Sequence, residues 1–290
     1  MLEILLRPLG WLPLRWLHWL GTVIGWVVYL LSSSYSARLD RNLRQSGLFS
    51  EETEYRRVRR LAIAEAGKIT VEVLAVWLKS PRRVLSYFRE VRNYALIEQA
   101  RQAGRGIVLL TPHLGCFEIA GFYFGQKMPL TVLYRPPRVR ALEALMVRGR
   151  RRGRTELATT DLAGVRKLLR ALRNAEAVGM LPDQAPRFGD GVWAPFFDRP
   201  AYTMTLSNRL RRATGAAAFM VFAERLPRGA GFRLHIEPLP DPAQDEAELN
   251  RAVEAMIRRR PEQYLWGYDR YKVPRDVVPP AADGVSAPAE

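Results

Sequence analysis

A histidine followed five residues later by a glutamate, His113 and Glu118 in the segment Gly106-Ile-Val-Leu-Leu-Thr-Pro-His-Leu-Gly-Cys-Phe-Glu118, supplies a general base and a carboxylate to orient it. The carboxylate would take one ring N–H, fix the tautomer and leave the other nitrogen free to accept a substrate proton. Neither of the other two histidines has such a setting: His18 lies in an apolar N-terminal stretch, and His235 lies in an alternating run, Phe232 to Ile236, that reads as a strand. Cys116 sits between His113 and Glu118. Nucleophilic Cys/His sites usually draw their partners from separate elements, and no oxyanion motif accompanies this cysteine, which speaks against a cysteine hydrolase.

The elements that must position this pair can be read outward from it. Val108, Leu109 and Leu110 are β-prone and continuously apolar, which predicts a strand buried on both faces of a parallel sheet and ended by Pro112. A histidine at the carboxyl end of such a strand lies where open α/β sheets bind ligands, and Gly115 lets the backbone approach whatever sits there. Two further loops fall on the same edge: Tyr134-Arg135-Pro136 after a strand at Leu130 to Tyr134, and Leu181-Pro182-Asp183-Gln184 after a strand at Ala177 to Leu181. Arg135 offers a planar cationic fork for phosphate. The run from Arg148 to Arg154 adds five arginines and two glycines that keep the backbone accessible, although such a run also reads as a solvated face. Asp183 and Gln184 orient a substrate, hold the site rigid or simply cap a polar turn. Phe188 to Phe197 reads as a glycine-hinged aromatic loop, which shelters an apolar chain or packs on the core.

Helical spacing runs from Glu52 to Leu78 with an arginine-rich outer face, until Pro81 ends it, and a second helix spans Asn93 to Gln102. Asp161 caps a helix carrying Leu162, Val165, Leu169 and Leu172; Thr203 to Arg212 reads as another helix. Ala216 to Phe222 and Phe232 to Glu237 read as strands joined by a Pro-Gly turn, and Asp245 with Glu248 forms a capping box for a last helix that Pro261 stops. Strands alternating with helices predict an α/β fold, a single domain with a mostly parallel central sheet flanked by helices. The expected division is an N-terminal membrane-anchoring helix over 1–35, the folded domain over 36–275 and a disordered Pro/Ala-rich tail over 276–290.

A net charge of +16 implies an anionic partner, whether a membrane surface, a phosphorylated substrate, an acidic protein or nucleic acid. One cysteine and three scattered histidines leave no disulfide framework and no metal-ligand spacing, so neither a metal nor another cofactor is expected, and the body suits a reducing, cytosol-facing location. From Leu9 to Leu31 the chain is apolar and Trp-rich, interrupted by Pro13, Arg15 and His18: long enough just to span a bilayer or to lie in its interface. The competing reading is a buried helix of a soluble protein. Arg38, Arg41 and Arg44 follow at once and keep the rest of the chain cytoplasmic by the positive-inside rule.

Taken in order, His113-Leu-Gly-Cys-Phe-Glu118, Tyr134-Arg135-Pro136, Met180-Leu-Pro-Asp-Gln184, Val192-Trp-Ala-Pro-Phe-Phe197 and Pro261-Glu-Gln-Tyr-Leu-Trp-Gly-Tyr-Asp-Arg-Tyr-Lys272 resemble the bacterial lipid A late acyltransferases, the lauroyl and myristoyl transferases within the lysophospholipid acyltransferase superfamily. The resemblance implies an α/β fold with an N-terminal membrane helix. It also implies transfer of a fatty acyl group from acyl carrier protein to a hydroxyl of a phosphorylated, already acylated disaccharide, at the cytoplasmic face of the bacterial inner membrane. His113 and Glu118 match the family's catalytic pair; Arg135, and within the arginine cluster Arg150 and Arg152, match its phosphate-binding arginines. The family commonly has His where this chain has Tyr268. A close alternative is acyl transfer to another glycolipid or lysophospholipid, from acyl-CoA or acyl carrier protein. A nucleic-acid-binding protein would need only the arginine runs, but no helix-turn-helix, RNA-binding or zinc spacing accompanies them, so no nucleic-acid partner is expected. A membrane-surface scaffold would leave His113 idle.

Overall fold

The computed structural model describes residues 8, 10–137, 140–240 and 245–280. Residues 8, 10 and 11 are helical, and α1 (Leu14–Leu31), begun after Pro13, α2 (Ser33–Gln45) and α3 (Glu52–Leu78) follow. The body then runs α4 (Pro81–Leu85), β1 (Phe88–Val91), α5 (Tyr94–Gln102), β2 (Ile107–Leu110), α6 (Phe117–Lys127), β3 (Leu130–Tyr134), α7 (Arg140–Arg150), β4 (Thr155–Thr159), α8 (Leu162–Arg173) and β5 (Ala177–Met180). It continues through β6 (Gly191–Phe196), β7 (Arg199–Met204), α9 (Leu206–Thr214), β8 (Ala217–Arg225), β9 (Phe232–Leu239) and α10 (Glu246–Arg259).

Seven strands form one sheet in the order β1-β9-β8-β2-β5-β3-β4, and β6 and β7 form a separate antiparallel ribbon. Within the large sheet only the β8/β9 pairing is antiparallel. β2 lies at its centre and is buried along its whole length. Val108 and Leu110 pack into the core with α2, α3, α8 and α10, while Ile107 and Leu109 pack into the opposite core with α5 and α6. Helices on both faces explain why this strand is continuously apolar rather than alternating. The α/β architecture with a mostly parallel central sheet is therefore as the sequence predicts. So are the single long helix from Glu52 to Leu78 and the Asp161 cap, whose carboxylate accepts from Gly164 N–H at 2.8 Å.

Several elements differ from the expectation. The segment read as an aromatic loop is the β6/β7 ribbon, with Val192 opposite Thr203 and Pro195 opposite Pro200. Its two turn residues, Phe197 and Asp198, take positive φ of 46° and 57°, a geometry normally signalled by Asn-Gly or Asp-Gly; here Glu254 of α10 holds the turn by accepting from Phe197 N–H at 2.8 Å. Residues 203 and 204 belong to β7, so the helix expected from Thr203 starts at Leu206. Pro81 opens α4 as well as closing α3, with Ser80 as its cap. Of the tail expected to be disordered, residues 276–280 carry no helix or strand, and 281–290 lie outside the described residues.

α1 runs antiparallel along α3 in intimate contact. A Cβ at Gly25 would stand 2.2 Å from Ile63 O, and one at Gly67 2.0 Å from Gly21 O, so only glycine permits this approach. The inner face of α1 is buried at Leu14, Leu17, His18, Gly21 and Gly25, while Trp16, Trp19, Val23, Val27 and Leu30 form an exposed apolar stripe. The helix is long and apolar enough to cross a membrane by length and composition.

Candidate active site

β2 and β5 are parallel neighbours, registered from Ile107 opposite Ala177 to Leu110 opposite Met180, so the loops that follow them emerge side by side. That adjacency brings Asp183 to His113. One Asp183 oxygen lies 2.8 Å from His113 Nδ1, and the other accepts the His113 backbone N–H at 2.9 Å. Asp183 is 2% exposed, and burial alone would raise its pKa; the imidazole and backbone N–H of His113 outweigh that and hold it below the usual carboxylate range. A carboxylate only accepts, so Nδ1 carries the proton and Nε2 offers a lone pair. Gln184 Nε2 lies 3.1 Å from that lone pair and donates to it. The Phe117 ring packs edge-on against the imidazole at 5.0 Å.

Glu118 does not take the imidazole N–H expected of it. As the second residue of α6 it turns toward α3 and α7, where it accepts from Trp77 Nε1 at 2.7 Å and is gripped twice by Arg150, from Nε at 2.8 Å and Nη2 at 2.7 Å. The expectation counted only neighbours along the chain, whereas the partner of Nδ1 arrives across the sheet. Burial opposes the charge on Arg150, but Glu118 outweighs it and raises the guanidinium pKa. With Nε and Nη2 occupied, Arg150 keeps Nη1 without a protein partner among the described residues.

Arg152 is a second correction. It donates to Val76 O at 2.8 Å, Trp77 O at 3.2 Å and Lys79 O at 2.6 Å, so both of its Nη nitrogens are engaged at the carboxyl end of α3. Gly149 likewise serves packing rather than backbone access, since a Cβ there would stand 2.3 Å from Trp77 Cγ. Arg135 is exposed at the end of β3 and has no ion-pair partner among the described residues.

A narrow cavity, partly open to solvent, is lined by Thr111, Phe117, Glu118 and Arg150 together with Leu109, Leu130, Val132, Phe124 and Thr155. Its lining is mostly apolar. Cys116 is buried in the core, and burial pushes its thiol well above the ordinary range, so it supplies no thiolate. Among the described residues no group of three or more His, Cys, Asp or Glu side chains converges on a metal position.

The closing segment braces the site. Leu265 N–H donates to His113 O and Gly115 N–H to Gln263 O, both at 3.0 Å. Tyr268 accepts from Ala185 N–H at 3.0 Å, which gives the phenol a structural task just beyond Gln184. The buried Tyr264 phenol is held protonated by burial and by the nearby Asp183 charge. Sequence reasoning found His113, Asp183 and Gln184 but left the role of the last two open, and it missed Trp77 and Tyr264. Trp77 sits at an apolar position of a regular helical pattern, and no spacing distinguishes it from core.

Comparison with known proteins agrees in one direction. The profile of the family described as "Bacterial lipid A biosynthesis acyltransferase" matches residues 2–273. The chain is 29% identical over 269 residues to an Escherichia coli (strain K12) lipid A biosynthesis palmitoleoyltransferase, covering 90% of this chain and 86% of that protein. It is 29% identical over 295 residues to the lipid A biosynthesis lauroyltransferase of the same organism, covering 92% and 95%. A Haemophilus influenzae lipid A biosynthesis acyltransferase is 26% identical over 298 residues, covering 93% and 94%.

Proposed function

The chain belongs to the bacterial lipid A biosynthesis acyltransferase family, and from that premise we propose that it moves a fatty acyl group from acyl carrier protein to a hydroxyl of a phosphorylated lipid A precursor, with His113 as the general base. The observation that carries this reading is the Asp183-oriented imidazole, with its Nε2 lone pair aimed away from the carboxylate and met by the Gln184 amide. A thioester is already activated, so no covalent nucleophile or metal is required. The acceptor hydroxyl displaces the Gln184 amide from Nε2, loses its proton to that nitrogen as its oxygen attacks the thioester carbonyl, and the proton then passes to the departing thiolate. Such a base is typically worth about 10² to 10⁴ in rate. Asp183 stabilises the imidazolium between the two steps.

Glu118 acts through Arg150 in this scheme. The pair fixes the guanidinium in the cavity wall with Nη1 to spare, a donor suited to the oxyanion of the tetrahedral intermediate or to an acceptor phosphate. Arg135, one loop away, is the second phosphate ligand. The mostly apolar lining of the cavity suits the acyl chain.

The domain is proposed to sit on the cytoplasmic face of the inner membrane. α1 lies in the membrane interface: one face is committed to α3 along its whole length, and the other is an apolar stripe with Trp16 and Trp19. The test is transfer from labelled acyl carrier protein to a phosphorylated, tetra-acylated disaccharide by detergent-solubilised protein, with His113→Ala alongside. Product that disappears in the variant supports the assignment. Equal product from both proteins removes His113 from the mechanism. Product only from acyl-CoA, or only with another lipid acceptor, replaces the donor or the acceptor.

A further inference from the structure

His18 is an unusual occupant of an apolar helix: it is 6% exposed, and its Nε2 lies 2.6 Å from Glu72 on α3. Glu72, 1% exposed, grips Arg225 with both oxygens, at 2.6 Å to Nε and 2.6 Å to Nη2. Arg225 Nη1 reaches Glu65, and Lys68 completes the cluster on Glu65. Burial would raise the pKa of Glu72, but Arg225 overrides it and holds the carboxyl at about 2, so the grip is ionic. Arg225 is the last residue of β8, and the Gln263 side chain clasps its backbone, accepting from Arg225 N–H at 2.8 Å and donating to Arg225 O at 2.9 Å. The Gln263 carbonyl in turn accepts from Gly115 N–H at 3.0 Å, and Cys116 N–H donates to Ala223 O, two residues before Arg225, at 3.0 Å. Gly115 has φ +60°, and a Cβ there would stand 2.2 Å from Ala223 O, so the loop is seated on β8 with no slack.

We infer that α1 is a positioning element for the catalytic loop, acting through the buried chain His18, Glu72, Arg225 and Gln263 that ends on the backbone of Gly115, two residues from His113. An anchor needs none of this. A buried ionic cluster is costly to desolvate and adds little stability over apolar side chains of equal size, so its place between the N-terminal helix and the site is explained by the geometry it fixes. His18 touches no reacting atom and is a positioning residue. The inference rests on His113 being the base.

The test uses the full chain in detergent and exploits the presence of only three histidines, which makes the ring resonances of His113 assignable. His18→Leu removes the donor at similar volume, and His18→Gln keeps a donor near the position of Nε2. In His18→Leu the His113 ring resonances shift or broaden and kcat falls about tenfold or more, while acceptor KM and membrane retention are unchanged; His18→Gln restores both signals. Unchanged His113 resonances and kcat in folded His18→Leu overturn the inference, as does failure of His18→Gln to restore them. Should His18→Leu not fold, Gln263→Met cuts the chain at its far end, and unaltered His113 resonances there overturn the inference equally. Because the resonances are read without substrate, a shifted signal in a protein inactive on the chosen acceptor upholds the coupling and refutes the acceptor.

Discussion

At the residue scale, the tautomer of His113 is set by whichever group takes the Nδ1 proton, and that group is Asp183, bonded to both the ring and the backbone of the histidine. Asp183→Asn keeps the shape but presents an amide that can hold the wrong tautomer; a fall in kcat of about 10³ to 10⁴ is expected, by analogy with other oriented histidine bases, with donor and acceptor KM little changed. Glu118→Gln acts differently. It leaves Arg150 without its counter-charge, so its expected signature is a raised acceptor KM or a weakened oxyanion contact, and kinetics on the two variants separate the roles. Cys116 tests the opposite expectation. Its thiol is buried and its pKa pushed up, so the folded protein resists iodoacetamide at neutral pH, and Cys116→Ala retains activity within about twofold, measured in the same acyl-transfer assay.

At the scale of elements, the carboxyl end of α3 is where the site meets the N-terminal helices: Trp77 reaches Glu118, and Arg152 ties down the carbonyls of Val76, Trp77 and Lys79 nearby. Replacing Arg152 with Met removes those charge-assisted bonds, and a stability loss of about 1.5 to 3 kcal/mol is expected in denaturant titration. Acceptor KM, measured on the folded fraction, is expected to stay unchanged, because both Nη nitrogens are engaged at the helix end; a large rise would return this arginine to the phosphate site. The same elements show what a single sequence reveals and what it withholds. β2, α3 and the cap of α8 were legible because apolar period, capping residues and proline stops are local signals. The β6/β7 ribbon was not, since its turn takes positive φ at Phe197 and Asp198 without the glycine or asparagine that normally announces it, and the compensating bond comes from Glu254, far along the chain. Asp183 could be named as polar and well placed, but its partnership with His113 depends on β5 inserting beside β2, a strand order that no local pattern records. Arg150 and Arg152 illustrate the same limit, since two similar positions in one basic run serve a carboxylate and a helix end.

At the scale of the molecule, charge and apolar surface act together. Glu72 and Asp183 both have folded pKa values below their ordinary ones, so their contribution to stability is complete above the unfolded carboxylate pKa and is lost as pH falls through the folded value. Thermal midpoints should therefore hold near neutrality and drop as pH falls from the ordinary carboxylate range toward the folded value of Glu72, about 2, because protonation then breaks its pairing with Arg225, and loss of the Asp183 pairing with His113 adds in the same direction. The second consequence concerns the membrane. A net charge of +16 attracts anionic lipid at a distance, and the exposed stripe of α1, with Trp16 50% and Trp19 61% exposed, joined by Trp11 (84%) just before the helix, supplies the apolar contact once the surface is reached. Titration with vesicles containing phosphatidylglycerol should shift tryptophan emission to the blue. Neutral vesicles should bind the protein more weakly, and added salt should slow capture on the anionic surface more than it releases protein already inserted, because screening weakens the approach but leaves the apolar contact intact. Replacing Trp16 and Trp19 together with Ser should abolish most of the blue shift while leaving the salt-sensitive approach in place. A stripe that serves only as a packing face for another protein would leave emission unchanged with every lipid composition.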